Sequence, residues 1–432
     1  MMTGAGYLKT FTPTELATAL RAVLRVGTLM LRSGAASFRT QDVMLRCAAA
    51  LGIERLEAYV TPTGIIASAY SGEEHRTQIV QAQGFGVDMN RIIALELLSR
   101  RLKNGTSAGE IAAQLDAIEA EGALYARSTV AWAVAVACGA FAVLLGGGLM
   151  EFLAAALGAG LSQWLRMGMI QRKFNPIPIT AVCALVAAAI AYPFLLITGG
   201  FAPLIGISPT YTPSGVIAAV LLLVPGVPLV TAMLDMTRLD LVSGAARGLY
   251  AITILVTIGA AMALVLAFFG LSEEILKVVS APQPSWGYFA LIGALSFIAT
   301  IGFAVLFNVP SNLLAWCGVV GMSGNLTRLG LLLLHTSPEA ATYCAAVLIG
   351  LFGYFVSVRY QLPRLVFTVT GIITLIPGVA GFSVVELFLS GDVLGGVGSS
   401  VKALLLTGAI VAGLGTARVL VDTDLRHIAH SE

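Results

Sequence analysis

Six ionisable residues stand within or beside long apolar stretches: Arg166, Asp235, Arg238, Asp240, Arg328 and Glu386. Charges are costly in such surroundings and usually mark a path for a substrate, ion or proton. Asp235 and Glu386 are the candidate proton carriers, since a carboxyl group can take up and release a proton as its surroundings change. Arg328 is the candidate anion binder, with Arg166 as its counterpart. A guanidinium presents a planar fork that matches a carboxylate with two parallel hydrogen bonds. Asp235 and Arg238 are three residues apart, which predicts that they face each other on one helical turn, with Asp240 close behind. The plainer alternatives are a solvated helix end for Asp235 and a side chain reaching the membrane interface for Arg166.

Two Pro-Gly pairs interrupt apolar runs, Pro225-Gly226 and Pro377-Gly378, 152 residues apart (377 − 225). Proline has no N–H, so the carbonyls of Leu221 and Ile373 lose their helical donors, and Pro228 likewise frees Val224. Lipid offers no replacement. The spacing therefore predicts a substrate ammonium, a proton-carrying water or a neighbouring helix as the partner, and a half-helix whose N–H groups favour carboxylates. Pro225, Gly226, Pro377 and Gly378 thus join Arg166 and Arg328 as candidate substrate-binding residues. A simple kink is the alternative at each pair.

The elements that must hold these residues are membrane spans of about 20 apolar residues each. Ten are expected, over 130–150, 152–170, 177–197, 214–233, 249–269, 287–307, 313–334, 340–358, 365–389 and 403–421. Lysine and arginine gather in alternate loops, which places the N- and C-termini on the cytoplasmic side. A step of 152 carries the first span near the sixth. Five spans per half is an odd number, so the halves are expected to be inverted relative to each other, as in alternating-access transporters.

Composition agrees. Only 48 of 432 residues are charged, 11%, and mean hydropathy is +0.90. A soluble globular chain carries about a quarter, so one water-soluble fold is excluded. A net charge of +2 argues against nucleic acid as a partner. Residues 1–127 hold 25 of the 48 charges. The expected fold class is a mainly α-helical polytopic membrane protein with two inverted five-helix repeats, 128–270 and 271–432, preceded by a small α+β cytoplasmic domain, 1–127. No secretory signal is read, because Glu15, Arg21 and Arg25 interrupt every early apolar run.

Within the first segment, Thr12-Pro13-Thr14-Glu15 is a capping box with proline at the first helical position. A second helix is expected from Ser37 to Leu51. Strands follow around Thr61-Pro62-Thr63-Gly64, with a third near 76–83. Two more helices follow, the last capped by Ser107 and Glu110. A membrane-anchored hydrolase with its site here is the alternative function. Its one histidine, His75, is placed on the Gly72-Glu73-Glu74 turn without a nearby nucleophile, and no GxSxG elbow is present. The five cysteines show no ligand spacing, so no metal, disulfide or other cofactor is expected. A Walker motif is absent.

The chain resembles the threonine/serine exporter family. The resemblance is carried by Leu31-Arg32-Ser33-Gly34-Ala35, Thr61-Pro62-Thr63-Gly64, Arg101-Leu102-Lys103-Asn104-Gly105-Thr106, and Leu221 to Leu229 followed by Asp235-Met236 and Gly244-Ala245-Ala246-Arg247. In the second half it is carried by Phe307-Asn308-Val309-Pro310, Trp316-Cys317, Gly330 and Ile376-Pro377-Gly378-Val379. It implies a proton-driven exporter in the bacterial inner membrane. The implied cargo is threonine and serine, or succinate as in the split members that this fused chain resembles more closely. The implied partners are a small-molecule substrate, protons and the bilayer; a homo-oligomer stays open. Thr231 stands where split members often have asparagine, and Phe382 where tyrosine is common.

Overall fold

The computed structural model describes residues 10–82, 86–201, 214–236, 238–269, 285–376, 384, 387 and 391–421. The chain forms two compact units. One comprises Met1–Leu124, Val227–Leu249 and Phe307–Pro310; the other comprises Tyr125–Gly226, Tyr250–Leu306 and Ser311–Glu432. The first unit is thus not bounded at residue 127 alone, since two later segments fold into it.

In the first unit the chain runs α1 (Pro13–Arg32), α2 (Ser37–Leu51), β1 (Arg55–Thr61), β2 (Gly64–Ser71), β3 (Glu74–Gln81), α3 (Met89–Arg101) and α4 (Ala108–Ala120). Thr12 accepts from the Glu15 backbone while Glu15 reaches back to cap it, so the start of α1 is satisfied locally. The strands form one antiparallel sheet in the order β1-β2-β3, closed by the Thr61–Gly64 pair. Ile65, Ala67 and Ala69 of β2 turn inward. Gly27 lets α1 approach them: a Cβ there would sit 2.5 Å from Met44 Sδ and 2.7 Å from Ile65 Cδ1. His75 lies in β3, not on the preceding turn. It pairs with Tyr70 across the sheet and their rings stack at 6.1 Å. The hairpin register extends β3 two residues further toward the turn than its composition suggests.

The second unit holds α5 (Arg127–Leu144), α6 (Leu149–Gln171), α7 (Pro176–Phe201) and the seven-residue α8 (Ser214–Val220). After α8 the chain passes through a 3-10 turn, Leu221–Leu223, into α9 (Gly226–Met236) and α10 (Leu241–Phe269). Then come α11 (Trp286–Leu306), α12 (Leu314–Leu333), α13 (Pro338–Tyr360), the seven-residue α14 (Leu365–Gly371) with its 3-10 turn Ile372–Leu375, and α15 (Val393–Val421). α8 packs on α5, α6 and α7; α14 packs on α11, α12 and α13; α5 lies against α11.

Among the described residues six helices are long and apolar enough to cross a membrane, and the bent pair of α8 with α9 makes a seventh if counted as one span. Ten were expected. The second and seventh expected spans are the helices α6 and α12, of 23 and 20 residues. Glu151, Gln163, Arg166 and Gln171 dilute the apolar character of the first, and Asn325 and Arg328 that of the second. The ninth is described as far as Ile376 and then only at residues 384 and 387.

Candidate functional site

Both proline breaks share one backbone form. Val224, before Pro225, has φ −61° and ψ 125°; Ile376, before Pro377, has φ −60° and ψ 129°. Proline pushes its predecessor out of the helical region into this extended one. The carbonyls that the prolines release are not left waiting. The Val224 N–H donates to Leu221 at 3.1 Å, the Ile376 N–H to Ile373 at 3.2 Å, and the Gly226 N–H to Val224 at 2.8 Å. A 3-10 turn at Leu221 and Ile373, and a tighter turn across two residues at Val224, thus supply the partners that substrate, water or another helix was expected to give. The breaks also touch: a Cβ on Gly226 would overlap Ile376 Cδ1. Pro377, Gly378, Phe382 and Glu386 lie outside the described residues.

Arg166 on α6 and Arg328 on α12 are half-buried. Arg166 donates to Gln163 Oε1 at 3.4 Å, and Arg328 Nε donates to Thr342 Oγ1 at 3.2 Å. Each arginine falls four residues after one buried residue (Ser162, Gly324) and three after a buried amide (Gln163, Asn325), so it continues the inward stripe of its helix. Neither has an ion-pair partner among the described residues. A guanidinium held by one neutral group, an amide for Arg166 and a hydroxyl for Arg328, with no carboxylate partner among the described residues, is equipped to take one from a ligand.

These two arginines belong to a register that the 152-residue step conceals. They are 162 residues apart (328 − 166), and the same step carries Gln163 to Asn325, Gly168 to Gly330, Pro176 to Pro338 and Thr180 to Thr342. It carries Phe141-Ala142-Val143-Leu144 to Phe303-Ala304-Val305-Leu306. It also relates backbone features: Gly146 and Asn308 have φ of 90° and 58°, and Lys173 and His335 both have 60°. Asn175 and Ser337, again equivalent, cap α7 and α13 through their side chains. From the breaks onward the step falls to 152, and α10 and α15 are 29 residues each. The longer α7 and the longer connection after it together account for the difference. A uniform step of 152 would pair Arg166 with Gly318.

Asp235 and Arg238 meet through the backbone, the Arg238 N–H donating to the Asp235 carbonyl at 3.0 Å, and not as an ion pair. α9 ends at Met236, and the Arg238 guanidinium lies over the Phe38 ring at 4.4 Å. Asp235 is fully buried and pairs instead with Arg247 of α10 at 3.1 Å. Arg247 also donates to the Ala35 carbonyl at 2.8 Å and to Thr231 Oγ1 at 3.5 Å. The Asp235 carboxylate faces the Ser37 N–H at the start of α2, whose preceding residue, Ala36, gives no side-chain cap. Asp240 caps α10, accepting from the Ser243 N–H at 3.1 Å. Gly34, Pro62, Val227, Pro228, Thr231 and Arg247 line a small cavity of about 10 Å³, room for roughly one water. Three stretches singled out in the sequence therefore converge here, around Gly34, Pro62 and Pro228. Arg247 escaped notice as a site residue because its partner lies across a turn, where helical spacing gives no signal.

Residues 21–269 match the family described as "Putative threonine/serine exporter", and residues 293–420 match "Threonine/Serine exporter, ThrE". An uncharacterized protein of Haemophilus influenzae is 39% identical over 85 residues, 20% of this chain. The match spans 29% of that curated relative's length. No solved structure matches the chain. The first match alone covers more than half of the residues, and with the second it accounts for both sets of helices. The chain belongs to the threonine/serine exporter family, with the family's two parts fused in one polypeptide.

Proposed function

We propose that this multi-pass membrane protein is a secondary-active exporter of small carboxylate-bearing metabolites. The cargo is an amino acid of the threonine/serine type or a dicarboxylate such as succinate, driven by protons and moved by alternating access around the two proline breaks. The observation that carries the reading is the meeting of two helix ends: the stretches before Pro225 and Pro377 end in the same backbone form, and Gly226 lies against Ile376. Broken helices of this kind build the sites of transporters made from inverted repeats. Family membership supports the cargo class. Arg166 and Arg328, without carboxylate partners among the described residues, supply handles for it.

The two halves are inverted about a pseudo-two-fold axis in the membrane plane. Equivalent residues should touch where such an axis passes, and Phe141 and Phe303 meet edge to face at 5.7 Å. Asp235 or Glu386 carries the coupling proton. The location is the bacterial inner membrane with both termini cytoplasmic, as the lysine and arginine distribution favours. Efflux from proteoliposomes preloaded with serine, threonine or succinate tests the whole reading. Efflux of at least one, accelerated by a pH gradient, is the expected result; indifference of all three to the protein would overturn it.

A further inference from the structure

We infer that the chain carries two carboxylate stations rather than one, Gln163–Arg166–Thr180 and Asn325–Arg328–Thr342, which hold the cargo in turn near opposite faces of the membrane. The inference rests on the exporter reading and its inverted repeat. The two triads are equivalent at a step of 162, residue for residue in type: an amide, a guanidinium and a threonine. Both arginines continue the inward stripe of their helices, so each turns toward protein rather than lipid. Thr342 already accepts from Arg328, and Gln163 from Arg166. Gln163 and Thr342 therefore each hold one guanidinium in place while leaving part of its fork for a ligand.

Their depth follows from the helices. α6 runs from Leu149 to Gln171 and is centred on residue 160, so Arg166 lies six residues past its middle (166 − 160). The equivalent stretch, Ser311–Leu313 with α12 to Leu333, is centred on residue 322, and Arg328 again lies six past it (328 − 322). Six residues rise about 9 Å along an α-helix. An axis in the membrane plane reverses that offset in the second half, which separates the Cα atoms of the two arginines by about 18 Å in depth. An amino acid occupies roughly 3.6 Å of extended chain. With Arg166 held to Gln163 on its own helix and Arg328 to Thr342 of the adjacent one, a cargo this short leaves one station before it reaches the other.

The experiment uses the full chain in proteoliposomes of one orientation, with serine flux measured from each face. Arg166→Lys should raise the KM for serine offered at one face about tenfold and leave the other face within about twofold; Arg328→Lys should do the reverse. Effects of both variants at the same face, or of neither, would overturn the two stations while leaving the exporter reading intact. A wild-type chain that moves no serine, threonine or succinate would instead overturn the exporter reading, and this inference with it. A second measurement does not depend on transport. Arg166→Cys and Arg328→Cys, each in a Cys344→Ser chain, are labelled with a membrane-impermeant thiol reagent from either side. The other four cysteines are buried, and burial pushes the Cys47 thiol up to about 12. Labelling from opposite faces is expected; labelling of both from one face would overturn the proposal.

Discussion

Asp235 and Arg247 are the one ion pair among the described residues in which both side chains are nearly inaccessible, 0% and 4% exposed. Each ion loses its hydration on folding, and each is compensated chiefly by the other. Removing one partner from such a pair typically costs about 3–5 kcal/mol, whereas replacing both is far milder. Asp235→Asn and Arg247→Gln should each lower the melting temperature in detergent, and the double variant should recover part of the loss. A double variant as unstable as the sum of the singles would mean that the two charges do not compensate each other. The same variants bear on coupling. Asp235→Asn and Glu386→Gln are to be compared for pH-gradient-driven efflux, and loss of the pH dependence in one assigns the proton to it. Wild-type pH dependence in both would end the proton-carrier role. At Arg328, lysine keeps the charge but loses the fork. Charge-assisted hydrogen bonds are each worth about 1.5–3 kcal/mol. Arg328→Lys should therefore weaken apparent cargo affinity at least about tenfold and resemble Arg328→Ala; wild-type rate and affinity in the lysine variant would refute recognition by the fork.

Elements meet in the second unit where small residues let them. Gly302 of α11 sits so close to α5 that a Cβ would lie 2.5 Å from the Ala133 carbonyl oxygen and 2.6 Å from Ala137 Cβ. A backbone oxygen cannot rotate away as a side-chain tip can. Gly302→Val should push α5 and α11 apart and sharply reduce the yield of folded protein; normal yield and melting would show that the helices do not approach so closely. The contact at the breaks is different in kind, because the atom facing Gly226 is the far end of an isoleucine. Gly226→Val should slow efflux with little loss of stability, and Ile376→Ala, which clears the space, should restore much of the rate in the double variant. Absence of rescue would argue that Gly226 matters for the start of α9 and not for its contact with Ile376.

At the scale of the molecule, the first unit is a graft of distant pieces. Ser243 donates to the Val60 carbonyl at 3.2 Å, Asn308 Nδ2 donates to Asp88 at 2.9 Å, and the Leu124 N–H donates to Asn308 Oδ1 at 2.8 Å. The Met89 N–H reaches the Phe307 carbonyl at 2.9 Å. The segments Val227–Leu249 and Phe307–Pro310 thus complete the first unit, and in return have their buried polar groups satisfied by it. Residues 128–432 expressed alone would expose Arg247, Ser243 and Asn308 without these partners. Such a truncation should aggregate or fail to transport, and co-expression of residues 1–127 should restore some activity. Efflux at the wild-type rate from the truncated chain would show that the first segment is dispensable. Truncation alone therefore cannot separate an exporter from a membrane-anchored enzyme; point variants such as His75→Ala, in an exposed strand, can.

What could be read from the sequence by itself was whatever is decided within a turn or two of chain. Thr12 with Glu15, and Ser107 with Glu110, cap their helices because both partners lie within one turn. Pro225 breaks its helix because the missing N–H and the extended Val224 are consequences of proline alone. The 162-residue register was also present as plain text, in Phe141 to Leu144 and Phe303 to Leu306, but an unequal connection before the breaks hid it behind the 152-residue step. The tertiary structure decided what pairs across the chain. Arg247 finds Ala35 at a separation of 212 residues, Asp235 finds Arg247 rather than Arg238, and Gly226 finds Ile376. Local spacing cannot foresee such choices. The partner of a buried charge is set by which elements pack closely enough to exclude water, and packing depends on the whole apolar surface at once.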